Sequence, residues 1–191
     1  MENFFLNALI QEMTARVVGY STARVFGSGS TFRIDLRPSG EQIVVSLDRS
    51  DPALFLSSTA NSEVSEVRFR STSFVASLRK HITGSILTSL YKTPRDRLVR
   101  FNFESVDAAG DKVDFSLLVA LTGRSANAYL TDGNGDLIAA MSGDSAEDAD
   151  SLIEKATDDF SDSVTKIVIK ETTGFFDTLS EPGKNLPNGT Q

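Results

Sequence analysis

The residues best suited to chemistry in this sequence are cations. Residues 65–100 hold eight of them, Arg68, Arg70, Arg79, Lys80, Lys92, Arg95, Arg97 and Arg100, against Glu66 and Asp96 alone. Arg79 and Lys80 fall off the apolar stripe of the helix they belong to, and Arg95, Asp96 and Arg97 fall in a turn that opens a strand. A planar guanidinium fork matches the oxygens of a phosphate, and an aspartate beside it can orient the fork or accept a ribose hydroxyl. The alternative is a solvated charged face, with Asp96 and Arg97 as a local ion pair worth under ~1 kcal/mol.

Other combinations carry less. Asp132-Gly133-Asn134-Gly135-Asp136 has the alternating oxygens of a calcium loop, but position twelve of such a loop is Gly143 and its flanks read as strands, so it is expected to be a hairpin turn. Gly27-Ser28-Gly29-Ser30 lacks the Gly-Lys-Ser/Thr ending of a phosphate loop and also reads as a turn. With no cysteine and one histidine, neither a disulfide framework nor the usual zinc ligand sets can be assembled. His81 sits beside the apolar stripe of its helix and is expected to be a packing residue. No nucleophile-elbow motif accompanies it. Asn188-Gly189-Thr190 is a glycosylation sequon in form only. No catalytic constellation, cofactor motif or metal site is therefore expected.

The elements that hold these residues follow from periodicity. Phe5, Leu9, Met13 and Val17 at four-residue spacing, flanked by Leu6 and Ile10, predict an amphipathic helix ending near Gly19. The period then falls to two: Phe32, Ile34 and Leu36 alternate with Arg33, Asp35 and Arg37, which predicts half-buried strands in a hairpin. Further strands are expected at 42–47 and 54–56, and residues 57–71, rich in Ser, Thr and Glu, read as a loop. Ser71-Thr72-Ser73 offers caps for a second helix with Phe74, Val75, Leu78 and Ile82 on its apolar side, stopping at Gly84. Strands at 86–91, 97–104, 113–121, 128–130 and 137–140 follow, each separated by turn residues. The expected fold is α+β: an antiparallel β-sandwich or barrel with two packed helices, spanning roughly residues 1–143.

Beyond residue 143 the pattern changes. Leu152, Ile153, Ala156, Phe160, Val164 and Ile167 recur at helical spacing, so a helical segment is expected over 144–180, followed by a disordered tail at 181–191. Residues 144–163 hold eight acids against Lys155, which alone accounts for the net charge of −7. A basic cluster and an acidic block therefore coexist in a chain whose overall charge hides the first. The N-terminus has no basic region, and its apolar stretch is broken by Asn7. It reads as neither signal peptide nor membrane span, and a cytoplasmic protein is expected.

Several of these residues carry a family resemblance. The run Phe74-Val75-Ala76-Ser77-Leu78-Arg79-Lys80-His81-Ile82-Thr83-Gly84 resembles the Leu-Arg-Lys-His helix of the NFACT N-terminal domain. Arg95-Asp96-Arg97-Leu98-Val99 is similar to that family's Asp-Arg pair opening a strand. Phe101 to Ser105, the Gly110-Asp111 turn, Leu117 to Leu121, and then Gly123-Arg124, Asn127 and Asp132 follow in family order. The resemblance covers about residues 1–141. It implies the company of the ribosome-quality-control proteins, among them RqcH and its fibronectin-binding protein A-like (FbpA) relatives. It also implies a fold similar to the N-terminal domain of formamidopyrimidine-DNA glycosylases, and a nonenzymatic role in binding tRNA and the large ribosomal subunit during rescue of stalled ribosomes. On that basis Asp96 and Arg97 would engage tRNA, with Arg95, Arg79, Lys80 and Arg124 around them. Two other functions stay open: an adhesin-like protein-interaction module, and a glycosylase-like enzyme, which would need an N-terminal proline this chain lacks. Ser125-Ala126 stand where the family commonly has His-Ser. The helix-hairpin-helix, coiled coil and second module of full-length members have no counterpart in these residues.

Overall fold

The computed structural model describes residues 3–58, 71–143, 151 and 154. The elements run α1 (Asn3–Val17), β1 (Ser21–Ser28), β2 (Thr31–Arg37), β3 (Glu41–Ser46), β4 (Ala53–Ser58), α2 (Ser73–Ile82), β5 (Ile86–Lys92), β6 (Leu98–Val106) and β7 (Lys112–Ala120). A 3-10 turn (Gly123–Ser125) leads into β8 (Asn127–Asp132) and β9 (Leu137–Ala140). The nine strands among the described residues belong to one antiparallel sheet in the order β4-β3-β2-β1-β5-β6-β7-β8-β9.

The expected sandwich or barrel takes the form of one continuous sheet, pinched in the middle. Strands β1 and β5 are paired only at Ser21↔Ile86. On either side of that pinch the pairings are long, as in Leu98↔Ala120 through Val106↔Lys112 between β6 and β7. Both halves send side chains into one core, Phe32, Ile34 and Ile43 from the first and Phe101, Phe103, Leu117 and Leu130 from the second, closed by both helices. A four-strand and a five-strand half, each apolar on one face, can both be dried in this way with a single core.

Helix α1 buries the expected stripe except at Phe5. Leu6, Ile10, Met13 and Val17 are buried, whereas Phe5 is 63% exposed. The buried set follows the i, i+4, i+7, i+11 advance of a 3.6-residue helix, while strict four-residue spacing drifts around the cylinder. Helix α2 buries Phe74, Val75, Leu78 and Ile82, and the Thr72 hydroxyl caps it by accepting the Val75 N–H at 3.3 Å. Val75 sits so close to β1 that a Cβ at Gly27 would lie 2.5 Å from its Cγ2, so Gly27, expected in a turn, is a strand residue under a helix. Gly84, at φ +88°, reverses the chain so that its N–H reaches the Thr22 carbonyl at 2.8 Å and β5 can begin beside β1.

The turns at the ends of β6 and β8 share one chemistry. Asp107 Oδ1 accepts the N–H groups of Ala109 and Asp111, and Asp132 Oδ1 accepts those of Asn134 and Asp136, all at 2.8–3.0 Å. Asp132 thus turns Oδ1 onto its own backbone, as a hairpin turn requires. Of the loop expected at 57–71, Ser57 and Ser58 belong to β4, and 59–70 lie outside the described residues. So do the 181–191 tail and the 144–180 segment, apart from Ser151 and Glu154, which are helical.

Candidate nucleic-acid interface

Antiparallel strands bring alternate turns to the same end of a sheet, and this places four of the six candidate residues together. The β5–β6 turn carries Arg95, Asp96 and Arg97, and the β7–β8 turn carries Arg124. The Leu121 N–H donates to the Arg97 carbonyl at 2.9 Å, tying the second turn to the first. Arg95 and Arg124 are exposed, and Asp96 and Arg97 half-buried.

The β5–β6 turn is tightly built. Thr93 N–H donates to the Leu98 carbonyl at 2.9 Å and Asp96 N–H to the Thr93 carbonyl at 3.3 Å. Asp96 Oδ1 accepts the Arg97 backbone N–H at 2.7 Å, which fixes the carboxylate at the root of the arginine. Arg95 has a φ of 60°, the left-handed region that most side chains avoid at a cost of about 1–2 kcal/mol. Its backbone is held there by the turn, and its side chain stands out at the tip.

Beneath this turn lies Lys92, 8% exposed. Its Nζ donates to the Thr93 carbonyl at 2.9 Å. Burial pushes its pKa below the usual lysine value, and the nearby Asp96 carboxylate partly opposes that. The amine therefore works on the turn from below, and Asp96 lies between a buried cation and the exposed arginines. Lys92 belongs to the basic stretch of the sequence, yet it faces inward. The alternation Leu90, Lys92 is the sequence signal of that direction.

Arg79 and Lys80 are elsewhere. Arg79 Nε donates to the Val25 carbonyl at 2.7 Å and Nη1 to Ser71 Oγ at 3.1 Å, so the side chain closes the β1 edge that β5 leaves unpaired. Lys80 is exposed on the same helix. The full run of β5, roughly 20 Å at ~3.3 Å per residue, separates this region from the turns. His81 next to them is half-buried, its ring 5.1 Å from that of Phe115 in an edge-on contact. Burial, then the charge of Lys80, lower its pKa, in keeping with a packing residue.

A polar network not anticipated from sequence occupies the face of β5–β8 opposite the core. The registers place Ser89, Asn102, Ser116 and Thr131 in one cross-strand row and Tyr91, Arg100, Leu118 and Tyr129 in the next. Arg100 Nε donates to Asn102 Oδ1 at 2.9 Å, its Nη2 to Ser116 Oγ at 3.0 Å, and Asn102 Nδ2 to Ser89 Oγ at 2.7 Å. These side chains border a cavity of about 290 Å³. Burial lowers the Arg100 pKa, which nevertheless leaves a guanidinium charged at neutral pH. Such rows exist only once register is set, so no local motif could have announced them. Among the described residues, no group of three or more His, Cys, Asp or Glu side chains could hold a metal ion, and no helix is long and apolar enough to cross a membrane.

Comparison with known proteins places this geometry in a family context. The family model described as NFACT N-terminal and middle domains matches residues 2–157. The Rqc2 homolog RqcH of Bacillus subtilis (strain 168) is 23% identical over 140 residues, which are 72% of this chain and 24% of that protein. The chain thus spans about a quarter of that curated relative. Among solved structures, the N-terminal domain of fibronectin-binding protein PavA from Streptococcus pneumoniae superposes with a TM-score of 0.64 at 17% identity, covering 74% of this chain and 54% of that one. The fibrinogen binding protein from Staphylococcus aureus gives 0.64 at 18%, covering 75% and 50%. The N-terminal part of the fibronectin/fibrinogen-binding protein from Streptococcus suis gives 0.65 at 21%, covering 75% and 55%. At these identities the structures establish a shared fold.

Proposed function

The chain belongs to the NFACT N-terminal and middle domain family, and from that premise we propose that it is a nonenzymatic RNA-binding module that holds tRNA on the large ribosomal subunit in ribosome quality control. The observation that carries this reading is the convergence of Arg95, Asp96, Arg97 and Arg124 on two turns joined by the Leu121–Arg97 hydrogen bond. Three arginines and one aspartate carried on two linked turns at one end of the sheet suit a phosphate–ribose backbone. The arginines would take phosphate oxygens and Asp96 a ribose hydroxyl, with its position set by the Arg97 N–H. The resemblance to RqcH, called an Rqc2 homolog, points to the ribosome as the place of action, and a reducing cytoplasm suits a chain without cysteine.

The test is tRNA binding by the full chain, compared with Asp96→Ala and Arg97→Ala. Each substitution is expected to weaken binding about ten-fold, the loss of a charge-assisted contact, with the melting temperature within a few degrees of the parent. Equal tRNA affinity in folded parent and variants would overturn the assignment.

A second reading draws on the names of the structural neighbours, which describe those proteins as binding fibronectin or fibrinogen. It predicts saturable binding to immobilised fibronectin that the Asp96 and Arg97 substitutions leave unchanged. A glycosylase-like activity rests on fold analogy alone, and an abasic-site incision assay is expected to be negative.

A further inference from the structure

The first half of the sheet carries a second surface that none of the above uses. Register aligns Phe26↔Arg33, Arg33↔Val44 and Val44↔Phe55 as one cross-strand row over β1 to β4. Its strand neighbours Val25, Ile34, Val45 and Leu54 point into the core, so the row lies on the opposite face. Val44 is short and its flanking residues are large, which leaves a cavity of about 260 Å³ over it, with Gln42 and Ser57 also at its wall. Phe55 is 45% exposed.

The polar groups here are arranged around flat surfaces. The Arg33 guanidinium lies 4.8 Å from the Phe26 ring centroid, and its Nε is 2.8 Å from Asp35 Oδ1, which holds the plane in place. Gln42, only 2% exposed, donates its Nε2 to the same Asp35 oxygen at 3.0 Å. That leaves its carbonyl oxygen as an acceptor at the cavity wall. A neighbouring groove shares Phe26 and adds Arg24 and Arg79. Arg24 is exposed, and Arg79 spends Nε and Nη1 on Val25 and Ser71 while Nη2 remains for another partner. Among the described residues the rim is therefore cationic: three arginines against Asp35.

We propose that this face binds unpaired nucleotides of RNA, with a base in the gap over Val44, stacked against Phe55 and Arg33, and phosphates toward Arg24 and Arg79. A purely apolar partner would gain nothing from an oriented guanidinium and a cationic rim. A polyanion with flat rings satisfies both, because every base has a face to stack and every linkage a charge to neutralise. The cavity is below the roughly 300–1,000 Å³ of typical small-molecule sites and open on one side, which favours one ring of a longer strand over a free ligand. Duplex RNA keeps its bases stacked inside and cannot supply one. This inference rests on the RNA-binding reading and adds to it that the partner must present single-stranded bases, at a surface across the β1–β5 pinch from the Asp96–Arg97 turn.

The test uses the full chain and fluorescence anisotropy with a labelled single-stranded RNA of mixed sequence, alone and annealed to its complement. The single strand is expected to bind more tightly than the duplex. Phe55→Ala and Arg33→Lys, the second keeping the charge and losing the plane, should each weaken single-strand binding by roughly ten-fold and leave duplex binding unchanged. Both positions lie off the core face, and circular dichroism checks the fold of each variant. No preference for the single strand, or folded variants that bind it as tightly as the parent, overturns the proposal. The tRNA titration with Asp96→Ala and Arg97→Ala is read separately. Its failure beside a positive single-strand result removes only the turn site, and the converse result removes only this face.

Discussion

At the scale of single residues, the turn between β5 and β6 shows how a site can be strained and anchored together. Arg95 holds φ 60° while Asp96 grips the Arg97 N–H and Lys92 supports the Thr93 carbonyl from inside. The strain at Arg95 is local, so glycine should relieve it. Arg95→Gly trades a left-handed penalty of about 1–2 kcal/mol against the greater unfolded-state freedom of glycine, about 0.5–1 kcal/mol. The expected outcome is a melting temperature equal to or above that of the parent, with weaker tRNA binding. A clear loss of stability would show that the Arg95 side chain supports the fold. Arg79 teaches the opposite lesson. Its type suits phosphate, yet two of its three nitrogens serve the Val25 carbonyl and Ser71, so Arg79→Ala is at least as much a change to the edge of β1 as to any RNA contact.

At the scale of elements, α1 separates what periodicity says from what packing decides. Both Phe5 and Leu6 fit a helical pattern, but only Leu6 reaches the core, together with Ile10, Met13 and Val17. Removing a fully buried leucine side chain costs about 2–5 kcal/mol, whereas truncating an exposed residue generally stays within ~0.5 kcal/mol. Chemical denaturation should therefore show a large drop in stability for Leu6→Ala and almost none for Phe5→Ala. The reverse ranking would move α1 by about one residue of rotation. Existence and order of the strands followed from alternation, since each half-buried strand repeats every second residue whatever its partner. Their ends moved by one or two residues, because hydrogen bonding to a neighbour, as at Phe115↔Asp132, extends a strand past its last apolar side chain.

At the scale of the whole molecule, charge and chain path meet. Strand β9 runs toward the end of the sheet that holds the basic turns, with Tyr129↔Ala140 its last pair. Asn127 Oδ1 then accepts the Ser142 N–H at 3.0 Å. The chain thus reaches Gly143 close to the turn of Arg124, and the eight acids of residues 144–163 follow at once in the sequence. A tethered block of that charge is expected to compete with phosphate for the same guanidinium groups. Ending the chain after Gly143 is expected to raise tRNA affinity several-fold at low ionic strength, with the gain shrinking as salt screens it. Unchanged affinity would mean that the acidic block never faces the turns.

Local order in the sequence by itself determined a great deal here. Alternation every second residue and recurrence near 3.6 mark nine strands and two helices, glycines and aspartates mark the turns, and ordered short motifs mark the NFACT family. All of these are properties of neighbours along the chain, where side-chain direction follows from backbone geometry. The tertiary structure alone decided which turns share an end and which faces share a row. It parted Arg79 and Lys80 from Arg97 by the length of β5, turned Lys92 inward beneath Asp96, and aligned Phe26, Arg33, Val44 and Phe55. Such placements depend on register and on the pinch between β1 and β5, which are set by packing both halves of the sheet around one core. A shift of one residue in any pairing would leave the local pattern readable and send every side chain of that strand to the other face.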